Sequence, residues 1–198
     1  MSKLLTSALA IAVAAGLSAC ASTMDDDMDT SASASASASY PMVGGAAMYP
    51  NRTIVANAVN SKDHTTLVAA VKAAGLVDTL NSAGPFTVFA PTNAAFDRLP
   101  AGTVDTLLKP ENKGQLTKVL TYHVVPGKKS RSQIAADIAA GGGTATYTTA
   151  AGGTIRIGME GNNIVVWDAN NGKSYITQTD VNQSNGVIHV VNGVLLPA

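Results

Sequence analysis

Four side chains in the 198-residue sequence are of the types that attack electrophiles, bind metals or pass protons near neutral pH: Cys20, His64, His123 and His189. A zinc centre draws on several His, Cys or acidic ligands, usually closely spaced in pairs. Here the three histidines stand far apart with no short His/Cys/Asp spacing beside them, so no metal ligand set is expected. There is no phosphate-cradling Gly-Lys-Ser/Thr loop, and Gly141-Gly142-Gly143 lacks the strand–turn–helix frame of a dinucleotide loop. No Gly-x-Ser-x-Gly nucleophile motif occurs. A Ser/His/Asp group assembled only by folding stays open, because such triads are defined by geometry. A convergent polar pocket containing His123 or His189 would be its sign. The expectation is a protein that is not an enzyme, with no catalytic, cofactor-binding or metal-binding residues; an unrecognised hydrolase is the distant alternative.

Cys20 calls for a different chemistry. It is the only cysteine, so no disulfide within the chain explains it. Before it, Met1-Ser2-Lys3 supplies a positive start, and Leu4 to Gly16 is apolar or small throughout. The run is shorter than the roughly 20 residues a helix needs to span a bilayer and has the parts of a secretory signal. Its ending, Leu17-Ser18-Ala19-Cys20, resembles the lipobox of bacterial lipoproteins. That resemblance implies cleavage after residue 19 and a lipid-anchored Cys20. An ordinary cleaved signal with an incidental cysteine is the alternative. By analogy with lipoprotein sorting, Ala21 rather than aspartate after the cysteine favours the outer membrane, facing either the periplasm or the surface.

Residues 20–49 read as a flexible tether. They hold four aspartates, a Ser-Ala alternation ending at Ser39, and Gly44-Gly45. Large apolar side chains are too few to offset the entropy of ordering the segment. A coil of about 30 residues has a root-mean-square span of roughly 30 Å. The formal net charge is zero, but residues 50–198 carry twelve Lys and Arg against nine Asp and Glu, a balance of +3. That is too little for a nucleic-acid footprint, yet it suits weak attraction to acidic polymers or anionic surfaces. About 150 residues suffice for one domain with its own core.

In the first half of that domain the apolar period is helical. Asp63 is placed to cap a helix carrying Leu67, Val68, Val71 and Ala74, with Gly75 as its stop. Thr53 opens a shorter helix through Ile54, Val55 and Val59, and a third includes Leu116, Val119, Leu120 and His123 before Pro126-Gly127. Between them, Gly84-Pro85 leads into a strand over Phe86–Ala90 that Pro91 ends, and Thr92 stands at the N-cap of the next helix. Beyond Gly143 the period changes to two: Ile155/Ile157, Ile164/Val166 and Val187/His189/Val191 alternate. Gly161-Asn162 and Asn171-Gly172 supply hairpin turns. Helices first and antiparallel strands later argue for an α+β domain.

Three stretches, "PFTVFAPTNAAFDRLP" (Pro85–Pro100), "LTYHVVPGK" (Leu120–Lys128) and "SNGVIHVVNGVLLPA" (Ser184–Ala198), resemble the motifs of a fasciclin domain, in the family's order and at roughly its spacing. The resemblance covers about residues 52–198. It implies a β-sandwich or wedge of two sheets with helices packed along one side. It also implies adhesion through a cell-surface, matrix or polysaccharide partner, and a link between the Tyr122-His123 region and partner binding. Asn192 stands where the family often has an acidic residue, a departure that removes the basis for borrowing any polar contact there.

The motif residues also have a reading of their own. Phe86, Val88 and Ala90 share one strand face and Thr87 and Phe89 the other, so Phe89 and Phe96 are core on either side of the turn. The Thr92 hydroxyl can cap the helix that follows, worth about 1 kcal/mol. His189 has aliphatic neighbours on both faces, which fits a buried, neutral, hydrogen-bonded imidazole. Tyr122 and His123 end a helix beside Lys128, Lys129 and Arg131, the densest basic group in the chain. Packing and partner contact both remain open for the aromatic pair, and the basic side chains are expected to be exposed at the Pro126-Gly127 turn.

Overall fold

The computed structural model describes residues 40–100 and 102–198. The signal segment, Cys20 and the tether as far as residue 39 lie outside the described residues. Folded structure starts earlier than the expected boundary at residue 50. Strands β1 (Met42–Val43) and β2 (Ala46–Ala47) form an antiparallel hairpin around Gly44-Gly45. Val43 and Met48, two of the few large apolar side chains in this region, are buried in the same cluster as Ile54 and Leu67.

The expected helices form, with corrections at their starts. Helix α1 (Ile54–Ala58) begins at Thr53, whose hydroxyl accepts from the Ala56 N–H. Helix α2 (Thr65–Ala74) ends at Gly75 in the left-handed conformation, φ 73°. Its start is not capped by Asp63, which lies in a 3-10 turn over Lys62–His64. Instead Asn93, distant in sequence, accepts from the Thr66 N–H at 3.1 Å and donates to the Lys62 carbonyl at 2.9 Å. A short helix α3 (Val77–Asn81) follows.

Strand β3 (Phe86–Pro91) leads into α4 (Asn93–Phe96). Thr92 does occupy the N-cap position of α4, but its side chain makes no capping hydrogen bond, so the expected hydroxyl cap is not formed. Helices α5 (Thr103–Leu107) and α6 (Lys113–Tyr122) come next, then β4 (Val124–Pro126). Helix α7 (Arg131–Ala140) was not anticipated; it opens with a capping box between Ser130 and Gln133.

The remaining strands are β5 (Thr144–Thr148), β6 (Thr154–Glu160), β7 (Asn163–Trp167), β8 (Lys173–Gln183) and β9 (Gly186–Val191). Seven strands hydrogen-bond in the order β4-β3-β9-β8-β7-β6-β5. Only β3 and β9 run parallel, in register from Phe86↔Gly186 to Pro91↔Val191. Strand β8 carries register shifts between Ile176 and Val181; its first residues pair with β7 and the rest with β9. The sheet thereby divides at β8 into two leaves. Between them lie Phe89, Val125 and Val191 of one leaf with Ile155, Ile157 and Val166 of the other. On the far side of β3 and β9, Val88, Ala90, Ile188 and Val190 pack against α1, α2 and α6. This is the expected α+β wedge with helices along one side.

Asn185, at the turn between β8 and β9, joins the layers. Its Oδ1 accepts from the Ile54 N–H at 3.1 Å, and its Nδ2 donates to the carbonyls of Leu80 at 2.7 Å and Ser82 at 3.2 Å. Asn185→Ala would leave a helical N–H and a buried carbonyl unpaired, and should lower stability by about 2–4 kcal/mol. Urea denaturation measures this, and an unchanged midpoint would show that the amide is dispensable.

Candidate functional site

The basic group follows β4 in a turn held from several directions. Gly127 has φ 93° and donates its N–H to the Pro85 carbonyl at 2.8 Å, a conformation that few other residues adopt without strain. Thr87 is fully buried; its hydroxyl donates to the Gly127 carbonyl at 2.7 Å and accepts from the Lys129 N–H at 2.8 Å. His189 is 0% exposed; its Nε2–H donates to the Lys129 carbonyl at 2.8 Å, while Nδ1 accepts from Asp180 N–H at 3.4 Å. Asp180 in turn accepts from the Arg131 N–H at 2.7 Å. The backbone from Gly127 to Arg131 is thus fixed by β3, β8 and β9.

The three basic side chains fare differently. Lys128 and Arg131 are exposed. Lys129 is ion-paired to Asp137 at 2.8 Å and lies 5.1 Å from the Tyr147 ring centroid, and the Tyr147 hydroxyl donates to the same carboxylate at 2.7 Å. The hydrogen bonds from Lys129 and then Tyr147 hold the Asp137 carboxyl below its usual range. Burial, reinforced by Asp137, pushes the Tyr147 phenol up. An ion pair this accessible contributes little stability, at most about 1 kcal/mol.

Tyr122 and His123, for which the sequence allows packing or partner contact, are packed. Tyr122 is 1% exposed and His123 2%. The Tyr122 hydroxyl donates to the Thr154 carbonyl at 2.5 Å and accepts from the Ala169 N–H at 3.0 Å. His123 Nδ1–H donates to the Val119 carbonyl at 2.8 Å, and its Nε2 accepts from the Leu195 N–H at 2.9 Å. The pair ties α6 to the start of β6, the β7–β8 turn and the chain after β9. Phe89 and Phe96 are core as expected, in different clusters. Asn192, the departure from the family pattern, accepts from the Tyr175 N–H through its side chain at 2.9 Å.

His64 is also buried, with Nδ1 2.9 Å from Ser61 Oγ. Its Nε2 has no hydrogen-bond partner among the described residues. The Ser61–His64 contact therefore lacks the orienting third member of a hydrolase triad, and it borders a mostly apolar cavity of about 30 Å³. A second apolar cavity, of about 40 Å³, lies between α1, α2, α3 and β3. Such volumes accommodate a few waters, not an organic cofactor. Among the described residues no group of three or more His, Cys, Asp or Glu converges.

Sequence reasoning did not assign Thr87 or Asp180 to the turn. The one local signal it passed over was Ser130-x-x-Gln133, which marks the start of α7 and so the end of the turn.

The sequence model of the fasciclin domain matches residues 62–197, and the chain belongs to the fasciclin family. It is 46% identical over 157 residues to protein sll1483 of Synechocystis, covering 79% of each chain. It is 35% identical over 160 residues to the cell surface glycolipoprotein MPB83 of Mycobacterium bovis, covering 78% of this chain and 64% of the relative. Its fold is similar to that of a FAS1 domain pair from the insect cell adhesion molecule Fasciclin I. The TM-score is 0.66 at 20% identity, over 74% of this chain and about half (51%) of the pair.

Burial lowers His123 from 6.5 to about 4, and lowers His64 and His189 in the same direction. The unfolded chain therefore takes up protons first as the pH falls. The stabilisation from neutral imidazoles is complete above about pH 6.5 and lost on the way down to about 4. For His123 the gap corresponds to ~3 kcal/mol. The melting temperature should be flat between about pH 7 and 8 and fall steadily below about 6.5, with His123→Gln giving a less stable protein and a shallower fall. Thermal melts across that range check it; identical slopes in both proteins would locate the sensitivity elsewhere.

Proposed function

We propose that this chain is a lipid-anchored, non-enzymatic fasciclin domain of the bacterial cell envelope that binds acidic polysaccharide or another surface component through the Lys128–Arg131 turn. The observation that carries this reading is the fixed backbone of the turn. Buried Thr87 and His189 hold it, while Lys128 and Arg131 project from it into solvent. A contact loop that is already ordered loses little backbone entropy on binding, which favours affinity. Lys129 serves the turn from within through Asp137. Tyr122 and His123 support the fold beneath and take no part in the contact.

The anchor is assigned to Cys20, and the outer membrane to Ala21 after it. The apolar run and lipobox support this, as does similarity to a relative named a cell surface glycolipoprotein. Cys20→Ser should abolish acylation and leave the protein unprocessed or misprocessed. Mass spectrometry of the natural protein checks this, since an unlipidated mature N-terminus would remove the anchor. Surface labelling of intact cells separates an outward-facing adhesin from an inward-facing envelope-structural protein.

Lys128→Glu with Arg131→Glu should leave the melting temperature within a few degrees of the parent and weaken attachment to an acidic polysaccharide surface at least several-fold. It should also flatten the salt dependence, because exposed contacts fade as the Debye length shrinks from about 10 Å at 0.1 M to 3 Å at 1 M. Attachment assays at several salt concentrations measure both effects. Unchanged attachment by the folded double variant would place the contact elsewhere.

A further inference from the structure

The outer face of the second leaf is a separate surface with its own chemistry. Cross-strand register places Thr146, Arg156, Trp167 and Lys173 in one row across β5, β6, β7 and β8. Residues two apart share a face, so the next row is Thr144, Gly158, Val165 and Tyr175. The intervening residues, among them Tyr147, Ile155, Ile157 and Val166, point into the core. The Tyr147 side chain, beside which Lys129 lies, therefore leaves the sheet from the opposite face to Arg156.

The chain's single tryptophan reaches over the neighbouring strand on this face. A Cβ added at Gly158 would come within 2.8 Å of the Trp167 Cζ3 and 3.0 Å of Cη2. Glycine in the middle of β6 is what lets the indole lie across the strand. Trp167 is half-buried and keeps partial exposure to solvent. The Arg156 guanidinium lies 6.0 Å from the ring centroid, and its Nη2 donates to Asn171 Oδ1 at 2.5 Å. On the other flank Glu160 accepts from Lys173 at 2.5 Å and from the Tyr175 hydroxyl at 2.7 Å. Lys173 thus has a carboxylate partner. Arg156 has none among the described residues.

We infer that this face binds a carboxylated polysaccharide, a chain of uronic-acid sugars. A pyranose presents an apolar C–H face that suits an aromatic plane. The ring's polar edge would meet Asn171, Glu160 and Lys173. The planar guanidinium of Arg156, the one cation of the face without a carboxylate, matches a carboxylate in two-point geometry. Exposed Thr144 and Thr146 continue the polar surface on β5. The inference names the partner class of the proposed function but rests on this face alone, so it stands or falls separately from the basic turn.

Trp167 reports directly on occupancy. The purified full-length protein is titrated with an oligogalacturonate, a neutral cello-oligosaccharide and polyglutamate, following tryptophan emission. The oligogalacturonate should give a saturable change. The neutral sugar should bind at least tenfold more weakly, and polyglutamate should leave the emission unchanged. Arg156→Ala, an exposed substitution, should keep the parent melting temperature and weaken oligogalacturonate binding at least tenfold. Trp167→Leu, followed by calorimetry, should abolish it; if that variant is unfolded, Arg156→Ala decides alone. No saturable response to oligogalacturonate, equal affinity for the neutral sugar, or unchanged affinity in Arg156→Ala would each overturn the inference. So would loss of the response in Lys128→Glu/Arg131→Glu with Arg156→Ala unaffected, which would assign the ligand to the basic turn.

Discussion

The parallel pairing of β3 with β9 is the constraint on which the rest of the domain depends. It brings the segment at Phe86–Pro91 beside the one at Gly186–Val191 in an unbroken six-residue register. Because strand side chains alternate, the pair sends Val88, Ala90, Ile188 and Val190 toward the helices and Phe89, Val187 and Val191 between the leaves. Each valine, isoleucine or phenylalanine side chain buried this fully contributes on the order of 1.5–3 kcal/mol, so the two strands serve as the shared wall of both cores. A parallel pair needs a long crossover. Here the chain between the two strands supplies α4 to α7 and all of the second leaf.

The same pairing positions two polar side chains that would be costly alone. Thr87 and His189 lie on one face, in neighbouring rows of the ladder. Each is fully buried; Thr87 spends its hydroxyl on the 127–129 backbone, and His189 divides its two nitrogens between the Lys129 carbonyl and the Asp180 N–H. The Phe89 ring stacks on His189 at 5.8 Å between centroids, which closes the imidazole off from water and keeps it neutral. A buried polar group left unpaired costs about 1–3 kcal/mol, so the turn and the strand pair require one another. His123 shows the same logic at the end of α6: it is buried, neutral and divided between a helix carbonyl and the chain after β9.

Much of this was legible in the sequence because it is local. Helix spacing from Leu67 to Ala74 with a glycine stop, Pro91 closing a strand, and alternation through Ile155 to Val166 are short-range signals, and the structure follows them. The three motifs of the family resemblance fall on the β3–α4 segment, the α6–β4 corner and β9, so the wedge could be expected from them. The misses are long-range. Asn93, not Asp63, supplies the side chain at the start of α2, a contact that exists only once β3 is placed. Residues 42–48 share the glycine and alanine of the tether, and only the burial of Val43 and Met48 separates them from it. Helix α7 buries Ile134 and Ile138, too sparse an apolar stripe to stand out by period. The aromatic pair at 122–123 could not be settled, because whether a helix end faces the core is decided by what packs over it.

The modest charge of the domain explains why presentation matters more than field. A balance of +3 over residues 50–198 gives little long-range steering, since salt screens exposed charges beyond roughly 8–10 Å. Affinity for a charged partner must then come from cations held at fixed positions. Ordering a flexible loop at the moment of contact subtracts about 1–2 kcal/mol of backbone entropy per residue. Thr87 and His189 settle that cost during folding, drawing on the β3–β9 core. Arg156 is held differently, by an exposed side-chain bond to Asn171 and a ring laid over glycine, so its preorganisation is weaker. On the two proposals made above, the basic turn and the Trp167–Arg156 face would engage different segments of one polymer. Two weak contacts of that kind would act together, because the first raises the effective concentration for the second.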